Sequence, residues 1–238
     1  DYIQDFIPDC IERVCADSGE DEVSLVAYCM GGMLAVMHEA LYPDGPVKNI
    51  ACFTTPVDFD GMGLFKAWTN PEYFDADEIV DTMGNVPAEI LLASFDMLRP
   101  ASKITGQIRL WDNMWNDDFV TGFRRVDRWS NDQIPMAGET FRQTTKELQQ
   151  QNKLIKGEFH LGGRLVDLAQ VKIPLLHAVA EFDHIVPYEA ARHLVTSISS
   201  EDKTEMVMKG GHVSLVAGPK AVHRLWPSIS EWLSGRSV

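Results

Sequence analysis

The sequence predicts an α/β fold, in which a mainly parallel sheet is covered by helices and carries an inserted, mainly helical lobe. Short apolar strand-like segments alternate with helical segments near both ends of the chain, which is typical of parallel sheets. The central stretch has little strand signal and is too long for a plain loop. We therefore predict a core formed by residues 1–56 and 171–238 and an insertion, or cap, formed by residues 57–170.

The predicted elements follow from apolar spacing along the chain. Helical spacing predicts a first helix over residues 1–16, and a short apolar run predicts a buried strand over Val23–Tyr28. The last helix is predicted from about Pro219 to residue 233, and its expected buried stripe is Ala221, Val222, Leu225, Trp226, Ile229 and Trp232. The other predicted elements are strands over residues 49–55, 174–180 and 204–209 and a helix over residues 33–41.

Composition excludes several classes of function. The chain has 238 residues and a formal net charge of -14, so binding to nucleic acid or to an anionic membrane through bulk charge is disfavoured. No apolar run is long enough to span a bilayer, and the acidic first ten residues do not resemble a signal peptide. The four cysteines, Cys10, Cys15, Cys29 and Cys52, do not indicate a disulfide scaffold, and we expect a reducing cytoplasm.

The turn after the first strand carries the predicted chemistry. A strand, then Cys29, then a helix, with Ala27 and Gly31 two positions to either side, is the layout of a nucleophile elbow. Small residues at those two positions are expected to let strand and helix approach, and the helix N-terminus favours the thiolate of Cys29. The backbone amide of Met30 is predicted to donate to the oxyanion that forms during acyl transfer. No motif or ligand pattern indicates a metal or a cofactor.

The base and its orienting acid are sought after the later strands, because ligands in parallel sheets meet the carboxyl ends of the strands. Asp183 and His212 follow the two late strands in the order nucleophile, acid, histidine. Asp183 could instead be a turn acid that bonds its own backbone, with Glu181 as the nearest substitute, and His184 is the alternative base. The remaining histidines, His38, His160, His177, His193 and His223, are interpreted as packing or surface residues.

Several segments together resemble polyhydroxyalkanoate synthase. They are AYCMGG around Cys29, the run AGETFRQTTKELQQQNKLIKGE, and the loops EFDHIVP and GGHV. The stretches VKNIACFTTPVDF and DTMGNVPAEIL are similar to the form of that enzyme that works with a separate second subunit. The resemblance covers nearly the whole chain and implies an α/β-hydrolase fold with a cap. It also implies polymerisation of (R)-3-hydroxyacyl-CoA with release of CoA.

The resemblance implies roles and partners as well. Cys29 carries the acyl chain, His212 is the general base and Asp183 is its partner. The expected partners are the (R)-3-hydroxyacyl-CoA substrate, the growing polyester chain, a second synthase subunit or a second copy, and the surface of polymer granules in the cytoplasm. CoA enters as part of the substrate, and no cofactor is expected.

One departure from the fold is visible in the sequence. Only 28 residues precede Cys29, whereas this fold normally has several strands there, one of which is followed by the second oxyanion amide. The sequence therefore looks truncated at its N-terminus, and we expect low or no activity of this chain alone. The alternatives are a cysteine-dependent hydrolase of the dienelactone hydrolase or thioesterase type and a catalytically incomplete partner-binding fragment.

The insertion holds the residues with open interpretations. Trp111, Trp115, Trp129 and Phe141 either line an apolar tunnel for the acyl chain or form the core of the insertion or a dimer face. The densest basic cluster is formed by Arg124, Arg125 and Arg128, followed by Lys153 and Lys156. Such a cluster is more often a solvated helix face than a CoA site, so no CoA-binding residue is assigned.

Overall fold

A four-stranded parallel sheet organises the fold in the computed structural model, which describes residues 1–218 and 220–236. The strand order is β1-β2-β5-β6, and each pair of neighbours is parallel. A second, two-stranded antiparallel sheet pairs β3 with β4. The strands are β1 Val23–Tyr28, β2 Val47–Phe53, β3 His160–Leu161, β4 Arg164–Leu165, β5 Leu175–Ala180 and β6 Lys203–Met208. These bounds confirm the predicted strands to within about two residues at each end.

Helices make up most of the remaining regular structure. The α-helices are α1 Ile7–Ser18, α2 Met30–Leu41, α3 Leu64–Trp68, α4 Ala76–Met83, α5 Ala88–Leu98, α6 Ser102–Asp112, α7 Asp117–Asn131, α8 Gly138–Gln143, α9 Tyr188–Ala191, α10 Leu194–Ser197, α11 His212–Val216 and α12 Trp226–Ser234. Segments Tyr2–Phe6, Thr144–Gln150 and Ala221–Leu225 are π-helical, and Phe59–Gly61 and Leu168–Gln170 are 3₁₀-helical. The first predicted helix is confirmed, because helical turns run from Tyr2 to Ser18.

The position of each strand in the sheet explains its sequence. The central strand β5 is buried at every residue and reads LLHAVA, and β2 is almost as fully buried. Both are covered on two faces, so they are nearly continuous apolar runs. The edge strands β1 and β6 alternate between exposed and less exposed residues over most of their length. This alternation follows from the strand period of two residues, which sends successive side chains to opposite faces.

The chain divides into two compact units, residues 1–67 with 147–238 and residues 68–146. These boundaries differ from the predicted insertion of residues 57–170, because residues 57–67 and 147–170 belong to the unit that contains the sheet. The reason is burial: apolar side chains from both segments join the same core cluster as the strands. These side chains are Val57, Phe59, Met62, Leu148, Leu154, Phe159, Val166 and Leu168.

The unit of residues 68–146 is helical, as the sequence predicts for this region. Its helices α5, α6 and α7 contain no buried residue. Trp111, Trp115 and Trp129 are 77%, 80% and 54% exposed, so the interpretation of these three side chains as the core of the insertion is wrong. Phe141 differs from them, since it is partly buried and its ring lies 6.4 Å from that of Phe74.

An ion network stabilises the same unit. The guanidinium of Arg142 bonds Asp77, Asp81 and Glu139, and Asp77 also pairs with Lys146. Hydrogen bonds from Lys146 and then Arg142 lower the pKa of Asp77. The network therefore links helix α4 to the chain around α8 within this unit.

The C-terminal helix is confirmed in place but corrected in its buried face. Ala221, Leu225, Ile229 and Trp232 are buried as predicted. Val222 is 58% exposed and Trp226 is 39% exposed, because the π-helical turn over Ala221–Leu225 changes the residue spacing along the helix. The predicted start at Pro219 lies outside the described residues.

Two kinds of feature are absent from the part of the chain that the structure describes. Over residues 1–218 and 220–236, no helix is both long and apolar enough to cross a membrane. The same residues include no group of three or more His, Cys, Asp or Glu side chains that could hold a metal ion.

A buried acid on helix α2 lies outside all predicted sites. Glu39 is 1% exposed, and its Oε2 atom has no hydrogen-bond partner among the described residues. Burial, together with the nearby charge of Asp44, raises the pKa of Glu39 from 4.5 to about 7. An acid whose pKa is raised in the folded state does not destabilise the fold at a pH below its unfolded-state pKa. The destabilisation grows as the pH rises from the unfolded-state pKa to the folded-state pKa.

We therefore predict that Glu39→Gln changes the pH dependence of stability. Relative to the unaltered chain, Glu39→Gln should increase the free energy of unfolding by about 2 kcal/mol more at pH 8 than at pH 4.5, because the pKa of the buried acid is raised. Urea unfolding at the two pH values measures this difference. Asp44→Asn, which removes only the smaller cause, should give a smaller difference. An equal effect of Glu39→Gln at both pH values would contradict the prediction.

Candidate active site

The sharp turn between β1 and α2 presents Cys29. Its backbone has φ 55° and ψ -123°. Residues other than glycine rarely adopt this conformation, which typically costs about 1–3 kcal/mol. The turn is held at both ends: the Cys29 amide donates to the Phe53 carbonyl over 2.8 Å, and the Cys29 carbonyl accepts from the amides of Gly32 and Met33. The Cys29 side chain is partly exposed. This is the geometry of the nucleophile elbow that the sequence predicts.

The glycine that the elbow requires is Gly32, and the sequence argument for Gly31 is wrong. A methyl group added at Gly31 would meet no atom within 4 Å, since it points into open space. A methyl group at Gly32 would lie 1.9 Å from Oγ1 of Thr55, which follows β2. The close approach at this elbow is therefore between the first turn of α2 and the end of β2, and Gly31 tolerates a side chain.

Asp183 combines two roles that the sequence leaves as alternatives. Its Oδ1 atom accepts hydrogen bonds from the amides of Ile185 and Val186, both at 2.9 Å, so it is a turn acid. Its Oδ2 atom lies 2.6 Å from Nδ1 of His212 and accepts a hydrogen bond from it. The carboxylate is fully buried and has partners on both oxygens. Glu181 is exposed and is not the substitute.

His212 opens helix α11 and is 5% exposed. The loop before it is tied down: the Phe182 amide donates to the Gly210 carbonyl over 2.9 Å, and the Gly211 amide donates to Ser214 Oγ over 2.8 Å. Both glycines therefore have fixed hydrogen-bond partners. The imidazole is thus carried by an anchored turn at the carboxyl end of β6.

The pKa of His212 reports its surroundings. Burial lowers it, but hydrogen bonds to Asp183 and Cys29 and the charges of both residues outweigh burial and raise the pKa from 6.5 to about 9. The protonated imidazole is favoured beside a carboxylate and a thiolate. The structure therefore brings Cys29, His212 and Asp183 together in one chain of contacts, starting from the ends of strands β1, β5 and β6.

The amide of Met30 is the first of helix α2, so it has no acceptor within the helix and is available to an incoming group.

Tyr28 is a site residue that the sequence analysis missed. Its ring centroid lies 4.8 Å from that of His212. The only signal was its place next to Cys29 in a strand, which does not reveal a contact with a residue so far along the chain.

Cys52, Cys10 and His177 lie outside this chain of contacts. Cys52 is fully buried in β2, and burial raises the pKa of its thiol to about 12. Cys10 is exposed on α1. His177 is buried in β5, where burial lowers its pKa to about 3 and its Nε2 accepts from the Thr55 amide. His184 is partly buried, and the imidazole that bonds Asp183 is that of His212.

Comparison with known proteins gives a family and close relatives. The model of a family described as "alpha/beta hydrolase fold" matches residues 1–219. The chain is 39% identical to the poly(3-hydroxyalkanoate) polymerase subunit PhaC of Thiocystis violacea, over 100% of this chain and 66% of that protein. It is 36% identical to the subunit of the same name from Haloferax mediterranei, over 100% of this chain and 48% of that protein. These relatives confirm the resemblance inferred from the sequence motifs.

The chain spans between about half and two thirds of the length of these curated relatives. Among solved structures, it is similar to a monoacylglycerol lipase from Paleococcus ferrophilus, with a TM-score of 0.59 and 16% sequence identity. The match covers 96% of this chain and 74% of the lipase. At that identity the likeness concerns the fold alone, and it confirms the predicted fold class.

The contact between Gly32 and Thr55 leads to a prediction. Gly32→Ala should destabilise the chain by about 1–3 kcal/mol and slow alkylation of Cys29, because the added methyl displaces the first turn of α2. Gly31→Ala is the matched control, in which stability is unchanged or higher and alkylation is unaffected. Thermal unfolding and peptide mass spectrometry after iodoacetamide treatment measure both effects. Equal behaviour of the two variants would contradict the assignment of Gly32.

Proposed function

The chain belongs to the α/β-hydrolase fold family, and we propose that it carries the acyl-transfer site of a poly(3-hydroxyalkanoate) polymerase. The proposed reaction joins (R)-3-hydroxyacyl groups from CoA thioesters into a polyester and releases CoA. The observation that carries the proposal is the position of His212, whose imidazole bonds the buried Asp183 and whose pKa is raised by its interactions with Asp183 and with Cys29 on the elbow. The similarity to the named polymerase subunits over the full chain supports the choice of substrate.

In the first step, Cys29 takes the acyl group from CoA. His212 accepts the proton of the Cys29 thiol, and the thiolate attacks the carbonyl carbon of the substrate thioester. The oxyanion that forms accepts a hydrogen bond from the Met30 amide. The carbon–sulfur bond to CoA then breaks, and the CoA thiolate takes the proton back from His212. A thiol nucleophile suits this step, since exchange of one thioester for another is nearly neutral in free energy.

In the second step, a 3-hydroxyl group replaces Cys29. His212 accepts the proton of the hydroxyl, the oxygen attacks the carbonyl of the Cys29 thioester, and an ester bond forms while the Cys29 thiolate leaves and is reprotonated. Asp183 keeps the imidazole oriented and stabilises its charged form throughout. General-base assistance of this kind is typically worth about 10²–10⁴ in rate.

The proposal extends to partners and location. CoA is part of the substrate, so no separate cofactor is required. The relatives carry the word "subunit" in their names, which supports a second synthase subunit as a partner. The growing polyester would bring the protein to the surface of polymer granules in the cytoplasm.

Substitution of the nucleophile tests the function. Cys29→Ala should abolish release of CoA from (R)-3-hydroxybutyryl-CoA and formation of polyester, because no other thiol occupies the elbow. Cys29→Ser should retain a small fraction of the activity at most. Cys10→Ala, which removes an exposed thiol on α1, is the matched control and should leave the rate unchanged. Free CoA is followed by a thiol assay, and the products are separated by chromatography.

The products decide between acyl acceptors. Polyester or hydroxyacyl oligomers together with CoA support the proposed transfer to a hydroxyl. Free 3-hydroxybutyrate with CoA would show that water is the acceptor and that the chain is a hydrolase. CoA release that persists in Cys29→Ala would overturn the proposed nucleophile.

A further inference from the structure

The hydrogen bonds of His212 do not by themselves fix the tilt of its imidazole ring. Nδ1 donates to Asp183, and the Cys29 side chain also interacts with the imidazole. A hydrogen bond at a ring nitrogen leaves rotation of the ring about that bond weakly restrained. A contact on the face of the ring is needed to hold the imidazole toward the thiol.

Tyr28 supplies that contact. The two ring centroids are 4.8 Å apart and the ring planes are inclined by 39°, so the phenol ring and the imidazole are in tilted contact. This separation is within the range at which an aromatic face attracts a cation. Among the described residues, the groups that interact with the imidazole include the Asp183 carboxylate, the Cys29 side chain and the Tyr28 ring.

The sheet holds the ring of Tyr28 firmly. Tyr28 is the last residue of β1, in register with Phe53 of β2, and it packs against the buried cluster that includes Leu215. Leu215 lies on α11, the same short helix that begins with His212. The Tyr28 side chain thus contacts both the histidine and the cluster that anchors its helix.

The hydroxyl of Tyr28 does not explain the contact. Its Oη atom is buried and has no hydrogen-bond partner within residues 1–218 and 220–236. Burial, together with the charges of Cys29 and Asp183, raises the pKa of Tyr28, so the phenol stays neutral. The part of Tyr28 that contacts His212 is therefore its ring.

We propose that Tyr28 is a positioning residue, whose ring holds the imidazole of His212 between Asp183 and Cys29 and stabilises the imidazolium that accompanies the thiolate. The inference rests on the proposed site of Cys29, His212 and Asp183. It adds a fourth side chain, which acts through His212 and does not react itself.

Alkylation of Cys29 tests the inference in the full chain. The rate constant for iodoacetamide at neutral pH is measured for each cysteine by peptide mass spectrometry. Tyr28→Leu should slow alkylation of Cys29 by about 3- to 10-fold, since the ring face is lost. Tyr28→Phe should restore the rate to within about twofold of the unaltered chain, because it keeps the ring.

Phe53→Leu is the matched control for packing. It removes an aromatic side chain from the same cluster, and Phe53 is paired with Tyr28 across the sheet. Its Cys29 rate should stay close to that of the unaltered chain under conditions where circular dichroism shows every variant folded. A Phe53→Leu rate as low as that of Tyr28→Leu would overturn the inference, as would a Tyr28→Phe rate as low as that of Tyr28→Leu.

A second readout separates this inference from the proposed function. In a Cys29→Ala background, titration of His212 by NMR should show a lower imidazole pKa with Tyr28→Leu and an unchanged pKa with Tyr28→Phe. The Asp183 carboxylate remains in both variants. An unchanged pKa in Tyr28→Leu would overturn the role of Tyr28 and leave the nucleophile assignment intact. A Cys29 no more reactive than Cys10 in the unaltered chain would count against the proposed site, while the NMR result still decides the role of Tyr28.

Discussion

The hydrogen bond between Asp183 and His212 is the interaction on which the site depends. Its donor and acceptor are 2.6 Å apart, and both side chains are almost fully removed from solvent. A buried carboxylate is costly unless its oxygens are bonded, and here one oxygen holds its own turn while the other holds the imidazole. The same group therefore shapes the loop after β5 and fixes the orientation of the imidazole.

The parallel sheet explains why these residues meet. Strands β1, β5 and β6 end at the same edge, so the turns that follow them converge although Cys29 and His212 lie 183 positions apart along the chain. Thr55 packs against Gly32 in the first turn of α2, and its amide bonds the neutral His177 of β5. The central strand thus supports the elbow through the end of β2.

The sequence predicts this site well where a local pattern carries the information. The apolar run before Cys29 predicts β1, and strand ends followed by Asp183 and His212 predict the order of the site residues. The boundaries of the insertion were not predictable in this way. Residues such as Val57 and Leu154 join the sheet core through contacts between distant segments, which apolar spacing does not reveal. For the same reason, apolar spacing does not reveal the contact of Gly32 with Thr55 or that of Tyr28 with His212. Composition likewise does not predict the exposure of Trp111 and Trp115, because large aromatic side chains are expected to be buried.

The central claim is that the Cys29 thiol and the free imidazole nitrogen of His212 face each other. A short bifunctional alkylating reagent, with two reactive carbons flanking one carbonyl group, tests this directly. After proteolysis, mass spectrometry should find a cross-linked pair of peptides that contain Cys29 and His212, with no comparable cross-link from Cys10. Alkylation of Cys29 without any cross-link to His212 would contradict the account.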